Sequence, residues 1–122
     1  MNGKIGYCPQ NPACLSDLTS GQHIRIIYQI RGFNLSESAQ KTKQCLESYN
    51  CSIIANKTPF NLSGGQRKRL ALSMASPYGV DSKIIMLDEA QAALDISGQE
   101  MVRNYMLRIV NVQHRTVLFS TH

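Results

Sequence analysis

The spacing of apolar positions changes along the chain. Ile24, Ile27 and Tyr28, extended by Arg31, recur at intervals of three and four. That period predicts a helix over Ser20 to Arg31, with Gly32 as its stop. A second helix is expected from a Ser36 cap to about Ser48, with Glu37 in its first turn. Residues 49–62 have no clear period and contain Pro59, so they read as loop. Ser63-Gly64-Gly65 opens a third helix that runs to about Ser76 and ends at Pro77 and Gly79. Beyond it the pattern shortens. Ile84 to Leu87 is the longest unbroken apolar run, and Lys83 to Leu87 suits a strand buried on both faces. Ser97-Gly98-Gln99-Glu100 has the form of a capping box, and its helix places Val102, Tyr105, Met106 and Ile109 on one side. Thr116 to Phe119 reads as a second buried strand, and Lys4 to Tyr7 as a short strand before a loop with Pro9 and Pro12.

The later part therefore reads strand, helix, strand, which implies a parallel sheet. The earlier part is mostly helical, so the expected class is α/β with a helical lobe. At 122 residues the chain holds one domain at most, and 43% apolar against 17% charged residues fits a folded chain. No apolar run approaches the length of a membrane span, and the first residues carry no apolar segment of a secretory signal. Thirteen Lys+Arg against eight Asp+Glu leave a net charge of +5 without any long charged block. That mild balance is compatible with nucleic acid, anionic lipid heads or nucleotide phosphates, and solubility alone accounts for it as well. Cys8, Cys14, Cys45 and Cys51 form no C-x-x-C pair and have no His at zinc-finger spacing, so reduced thiols are expected. The sequons at Asn34, Asn50, Asn56 and Asn61 are expected to be chance matches.

Two stretches bear on chemistry by themselves. In Ile84-Ile85-Met86-Leu87-Asp88-Glu89, two carboxylates emerge at the C-terminal end of a strand, where open α/β sheets bind ligands. One carboxylate there suits Mg2+ held through water, and its neighbour suits a nucleophilic water; the same string also fits an ordinary strand end. In Leu62-Ser63-Gly64-Gly65-Gln66, free N–H groups and the helix dipole favour an anion. Two glycines allow close approach, and the Ser63 hydroxyl and Gln66 amide add donors. A plain N-cap with a glycine-rich turn explains the same residues. Tyr7-Cys8-Pro9-Gln10 and Ser120-Thr121-His122 carry no meaning in isolation.

In this order, the pieces resemble the nucleotide-binding domain of the ABC ATPase family. Gln10 matches the Q-loop glutamine, and Leu62 to Gln66 reproduces the LSGGQ signature loop. Ile84 to Glu89 matches the Walker B strand with its catalytic glutamate, Ala93-Leu94-Asp95 the D-loop, and His122 the switch histidine. Ile5 to Gln10 and Gln66 to Leu70 look most like the A branch of eukaryotic transporters, which is associated with lipid export. Beside the D-loop, Ala90, Gln91 and Ala92 depart from residues common in the family.

The resemblance implies a partial P-loop NTPase fold with a parallel-sheet core. A helical subdomain would span about residues 11–80, and a part with Walker B, D-loop and switch histidine about 81–122. It implies ATP and Mg2+ as ligands, with Asp88 and Gln10 at the metal and Glu89, His122 and Gln10 as the catalytic set. Ser63, Gly64, Gly65 and Gln66 would contact ATP bound to a second domain in a head-to-tail dimer, and Asp95 would couple the two sites. The resemblance implies transmembrane domains as the further partners, at the cytoplasmic face of a membrane, and no nucleic-acid partner.

No G-x-x-x-x-G-K-[ST] is present; Lys41-Thr42 follows Gln40, and Lys57-Thr58 follows Asn56. The chain is therefore expected to be a fragment without its P-loop and inactive alone. Two other readings stay open at this point: a soluble ABC ATPase acting on ribosomes or DNA, and a non-catalytic remnant.

Overall fold

A computed structural model describes residues 5–8, 14–78, 83–88 and 95–120. Three strands, β1 (Ile5–Cys8), β2 (Ile84–Asp88) and β3 (Thr116–Ser120), form a parallel sheet in the order β1-β2-β3. Helices α1 (Ser20–Ile30), α2 (Leu35–Ser48) and α3 (Gly64–Tyr78) lie between β1 and β2, and α4 (Ile96–Asn111) connects β2 to β3. The expected strand–helix–strand unit and parallel sheet are thus present.

Local chemistry sets the helix ends. Thr19 and Gln22 close a capping box at the start of α1. At its other end Gly32 takes φ +99°, Gly32 N–H donates to Gln29 O (3.0 Å) and Phe33 N–H to Tyr28 O (3.2 Å). This is a Schellman stop, and the Tyr28 and Phe33 rings supply its apolar contact at 5.8 Å. Helix α2 starts one turn-residue pair earlier than expected. Asn34, not Ser36, is its cap: Asn34 Oδ1 accepts from Glu37 N–H at 2.8 Å, and Glu37 Oε2 accepts from Asn34 N–H at 3.0 Å. Ser36 lies inside the helix because Glu37 is spaced to answer Asn34. Asn50, at φ 54°, ends α2 in the same way as Gly32 ends α1, with Cys51 N–H donating to Leu46 O at 2.7 Å. Asparagine tolerates this left-handed position better than most residues.

The stretch read as loop contains two short 3-10 turns, Ser52–Ile54 and Pro59–Asn61. It straps the start of α1: Ser20 N–H and Oγ both donate to Lys57 O, and Gly21 N–H donates to Ala55 O at 2.9 Å. Helix α3 includes Pro77 in its last turn rather than stopping before it. Gly79 lies outside the described residues.

Two apolar clusters make the core. Ile24, Tyr28, Cys45, Leu46, Cys51, Ile54, Leu62 and Leu70 pack the helical lobe. Cys8, Ala71, Leu72, Ala75, Ile85, Leu87, Val102, Tyr105 and Ile109 pack one face of the sheet against α3 and α4. Helix α3 serves both, and Leu70, Ala71, Leu72 and Ser73 are consecutive buried residues. Met106 of α4 is only partly buried beside Val102, Tyr105 and Ile109.

The strands are less enclosed than the apolar runs suggest. In β2, Ile85 and Leu87 are 1% exposed, whereas Met86 on the opposite face is 37% exposed. In β3, Leu118 is 51% and Phe119 37% exposed. Among the described residues no helix covers the face carrying Ile5, Tyr7, Met86 and Leu118, which accounts for Met86 and Leu118; Phe119 pairs with Leu87 on the helix side and is open because β3 ends the described sheet.

All four cysteines are free, as expected. Burial pushes the thiols of Cys8 and Cys51 up to about 11 and that of Cys45 up to about 12. In the folded chain these thiols stay protonated above the ordinary value of 9.0, whereas the unfolded chain releases their protons there. The unfolded state then binds fewer protons than the folded one, so stability falls as pH rises from 9.0 through about 11. Urea melts across that window should show the loss, and a Cys8→Ala, Cys45→Ala, Cys51→Ala variant should flatten it. At neutral pH a thiol reagent should label half-buried Cys14 ahead of the other three.

Candidate functional site

Helix α3 begins on a third capping box. Ser63 N–H donates to Gln66 Oε1 at 3.0 Å, and Gln66 N–H donates to Ser63 Oγ at 3.2 Å. This changes the expected donor set. The Gln66 carbonyl is turned back onto the loop, and two of the backbone N–H groups are used. The Gly64 and Gly65 N–H groups take no part in the box, the Ser63 hydroxyl keeps its own proton to donate, and the Gln66 NH2 remains. The loop is exposed at Ser63, Gly64 and Gly65.

The fold makes no visible demand for glycine at these two positions. A Cβ on Gly64 or Gly65 would meet nothing within 4 Å, and neither has positive φ. By contrast, a Cβ on Gly21 would sit 3.2 Å from Ala55 O. Two glycines in a helical first turn cost about 1 kcal/mol each against alanine. Open space in front of a helix N-terminus, kept free of side chains, suits close approach by an anion.

The second part of the site lies at the C-terminal ends of the strands. Asp88 ends β2 and pairs in register with Ser120 of β3, while Tyr7 of β1 pairs with Met86. Ser120 Oγ donates to Asp88 Oδ1 at 2.8 Å, and Tyr7 Oη donates to Asp88 Oδ2 at 3.2 Å. All three strands thus meet at one carboxylate. Tyr7, Met86, Leu87, Asp88, Leu118, Phe119 and Ser120 line an open depression of about 370 Å³. The Tyr7 phenol is pushed above its ordinary 10.0 by desolvation first, then by the hydrogen bond and charge of Asp88. On the other face, burial raises the Cys8 thiol, the Lys68 ammonium opposes that rise, and Asp88 adds to it. Lys68, 7% exposed on α3, is therefore within electrostatic reach of the same sheet end.

Neither Tyr7 nor Ser120 stood out in the sequence. The signal was present in the parallel pairing: both precede a family motif, and both fall at strand ends beside Asp88. Gln10, Glu89 and His122 lie outside the described residues, as do Ala93 and Leu94. Among the described residues no hydrogen bond joins the Ser63–Gln66 loop to Asp88.

Asp95 has a structural job that sequence reasoning assigned elsewhere. It is the N-cap of α4, and its Oδ1 accepts from Gly98 N–H at 2.8 Å. The Ser97–Glu100 box is not formed, because α4 already starts at Ile96 and Ser97 lies within its first turn.

A further cleft of about 310 Å³ between α2, α3 and α4 is lined by Tyr49, Arg69, Glu100, Asn104, Tyr105 and Arg108, among others. It holds none of the candidate residues. Among the described residues no group of three or more His, Cys, Asp or Glu is arranged to hold a metal, and no helix is long and apolar enough to cross a membrane.

Residues 1–92 match the protein family described as ABC transporter. Over 118 residues the chain is 28% identical to "Phospholipid-transporting ATPase ABCA3" of Rattus norvegicus, covering 97% of this chain and 7% of that protein. It is 30% identical over 118 residues to "Sulfate/thiosulfate import ATP-binding protein CysA" of Synechocystis sp., covering 97% of this chain and 33% of that one. The fold is similar to a dimeric, post-hydrolysis structure of the ATP-binding cassette MJ0796 bound to ADP and Pi. There the TM-score is 0.85 at 25% identity, covering 98% of this chain and 52% of that chain.

Asp95→Ala should destabilise the chain by about 1 kcal/mol through loss of the α4 cap. Asp95→Asn keeps a capping oxygen and should stay within a few tenths of a kcal/mol of the parent in urea titration. Equal losses in the two variants would mean that the charge, not the cap, matters to the fold.

Proposed function

The chain belongs to the ABC transporter family, and from that premise we propose that it supplies the signature-loop and Walker B half of an ATPase cassette that drives transmembrane transport. The observation that carries this reading is the pair Gly64-Gly65: unneeded by the fold, open in front, and set in an LSGGQ loop on a helix N-terminus. The division of labour is a helical subdomain over about residues 11–80 and a Walker B, D-loop and switch-histidine part over about 81–122.

The signature loop acts on ATP held by a second cassette in a head-to-tail pair. The Gly64 and Gly65 N–H groups and the Ser63 hydroxyl donate to its γ-phosphate, and Gln66 fixes the loop through the capping box. Such fixed donors stabilise charge without reorganising when phosphoryl transfer occurs. Asp95 holds the start of α4 and couples the paired sites across the dimer. The likeness to a dimeric cassette supports this pairing.

At the sheet end, Asp88 and Gln10 are the residues to hold Mg2+, Asp88 through water. The described geometry fits such an ion: among the described residues each Asp88 oxygen accepts one hydroxyl bond, with lone-pair capacity beyond it, and no group of three or more His, Cys, Asp or Glu forms a cage. Mg2+ usually takes one or two carboxylates, waters and substrate phosphates rather than an all-protein cage. When bound, it would neutralise charge on the phosphates. Glu89 orients the attacking water and accepts its proton, and His122 contacts the γ-phosphate. The 122 residues contain no G-x-x-x-x-G-K-[ST] and span 7% and 33% of these relatives' length, so this reading requires a P-loop and an adenine-stacking aromatic from elsewhere in the cassette. Alone, the chain has two half-sites and no phosphate cradle.

The cassette works with transmembrane domains at the cytoplasmic face of a membrane. A lipid is the proposed cargo, supported by the A-branch look of Ile5 to Gln10 and Gln66 to Leu70 and by the rat relative. The sulfate importer at similar identity indicates that cargo is selected outside this chain.

Gly64→Ala and Gly65→Ala should leave stability unchanged or raise it by up to about 1 kcal/mol each. In the full-length protein they should cut ATP hydrolysis at least tenfold while sparing ATP binding. Retained hydrolysis by both variants would remove the signature role. Glu89→Gln in that protein should abolish turnover and leave ATP bound, measured by retained nucleotide after desalting. The isolated 122-residue chain should show no micromolar affinity for Mg-ATP in calorimetry; finding it would refute the half-site reading.

A further inference from the structure

We propose that Tyr7 is a positioning residue for divalent-cation binding, its hydroxyl fixing the carboxylate plane of Asp88. This rests on the cassette reading above, which gives Asp88 its place at the metal.

The geometry is specific to the parallel pairing. Tyr7 lies beside Met86, two residues short of Asp88 on the same face of the sheet. A residue there must reach about 7 Å along the strand direction to touch Asp88. Tyrosine spans that distance and ends in a donor; an aliphatic residue or Phe would cover Met86 and offer the carboxylate nothing. Ser120 needs no such reach, since it is Asp88's direct partner in register.

The two hydroxyls take different oxygens. Tyr7 serves Oδ2 from one flanking strand, and Ser120 serves Oδ1 from the other. A carboxylate held by a single donor still turns about its last torsion, which is soft. Held from both sides, it does not turn freely, and each oxygen keeps lone-pair capacity for a further partner. Tyr7 is 48% exposed, so its ring contributes little buried area of its own within the described fold. Its hydroxyl is therefore separable from packing by a single-atom change.

Partners that orient a metal-binding group commonly alter metal affinity 10–100-fold when removed. In the full-length protein loaded with ADP, Mn2+ titration followed by electron paramagnetic resonance should show binding about tenfold weaker in Tyr7→Phe. ADP affinity in EDTA and the thermal midpoint should not change. Tyr7→Leu, which also removes the ring, should weaken Mn2+ to the same extent whatever it does to the midpoint. Unchanged Mn2+ affinity in Tyr7→Phe would overturn the proposal. So would an equal loss of ADP affinity with and without Mn2+, since that marks a structural role. Failure of the underlying cassette reading has a different signature: the parent protein itself would bind no Mn2+ with ADP.

Discussion

The double burial of α3 is the constraint on which the rest depends. Leu70 closes the helical core, and Ala71, Leu72 and Ala75 close the sheet core. A helix wanted by two cores has little freedom to slide or rotate, because either motion exposes apolar area on one side. Its N-terminus is therefore a fixed point, and the Ser63–Gln66 loop grows from it. The capping box extends that rigidity by one turn. Lys68, buried one turn into the same helix, places a cation near the sheet end that carries Asp88. The Ser63–Gln66 loop and β2 thus share a strut, although among the described residues no hydrogen bond links them directly.

Parallel topology supplies the second constraint. In a parallel sheet the C-terminal ends of the strands open in the same direction, so residues from distant parts of the chain converge there. Tyr7, Asp88 and Ser120 are far apart in sequence and meet at one carboxylate. The strand faces divide the work. Cys8, Ile85 and Leu87 face the helices and are buried, whereas Tyr7, Met86 and Leu118 face the uncovered side. One alternation along β1 places a buried thiol next to an exposed phenol, with Asp88 raising the pKa of both.

What the sequence made legible was whatever has a period or a fixed spelling. The α1 face of Ile24, Ile27 and Tyr28, the βαβ unit, and the LSGGQ loop follow from residues close in sequence. Cap positions were less legible because several candidates stood side by side. Asn34 and Ser36 can both cap; Glu37 answers the one three residues before it. Asp95 displaced Ser97 for a similar reason, since α4 begins one residue after Asp95 and leaves Ser97 inside. Asn50 escaped notice because asparagine marks loops generally, and only its φ of 54° identifies it as a helix stop. The exposed strand faces were hidden from any local reading. An apolar run records what a strand is suited to touch, not whether a layer lies over it.

The glycines separate folding from function within a single residue type. Gly32 is explained by its backbone, which takes a conformation that side chains avoid, and Gly21 by the carbonyl of Ala55 at its back. Both would be retained in a chain selected only to fold. Gly64 and Gly65 have neither reason: ordinary φ, empty space in front, and a helical setting in which alanine is better by about 1 kcal/mol each. A feature that weakens the helix and serves no contact among the described residues suits a contact beyond them. The loop's remaining donors, two backbone N–H groups, a hydroxyl and the Gln66 NH2 at the positive end of a helix dipole, suit an anion. Because α3 is pinned by two cores, those donors are held in place before the anion arrives. Little ordering then has to occur on binding, so a loop of four small or flexible polar residues can still act with precision.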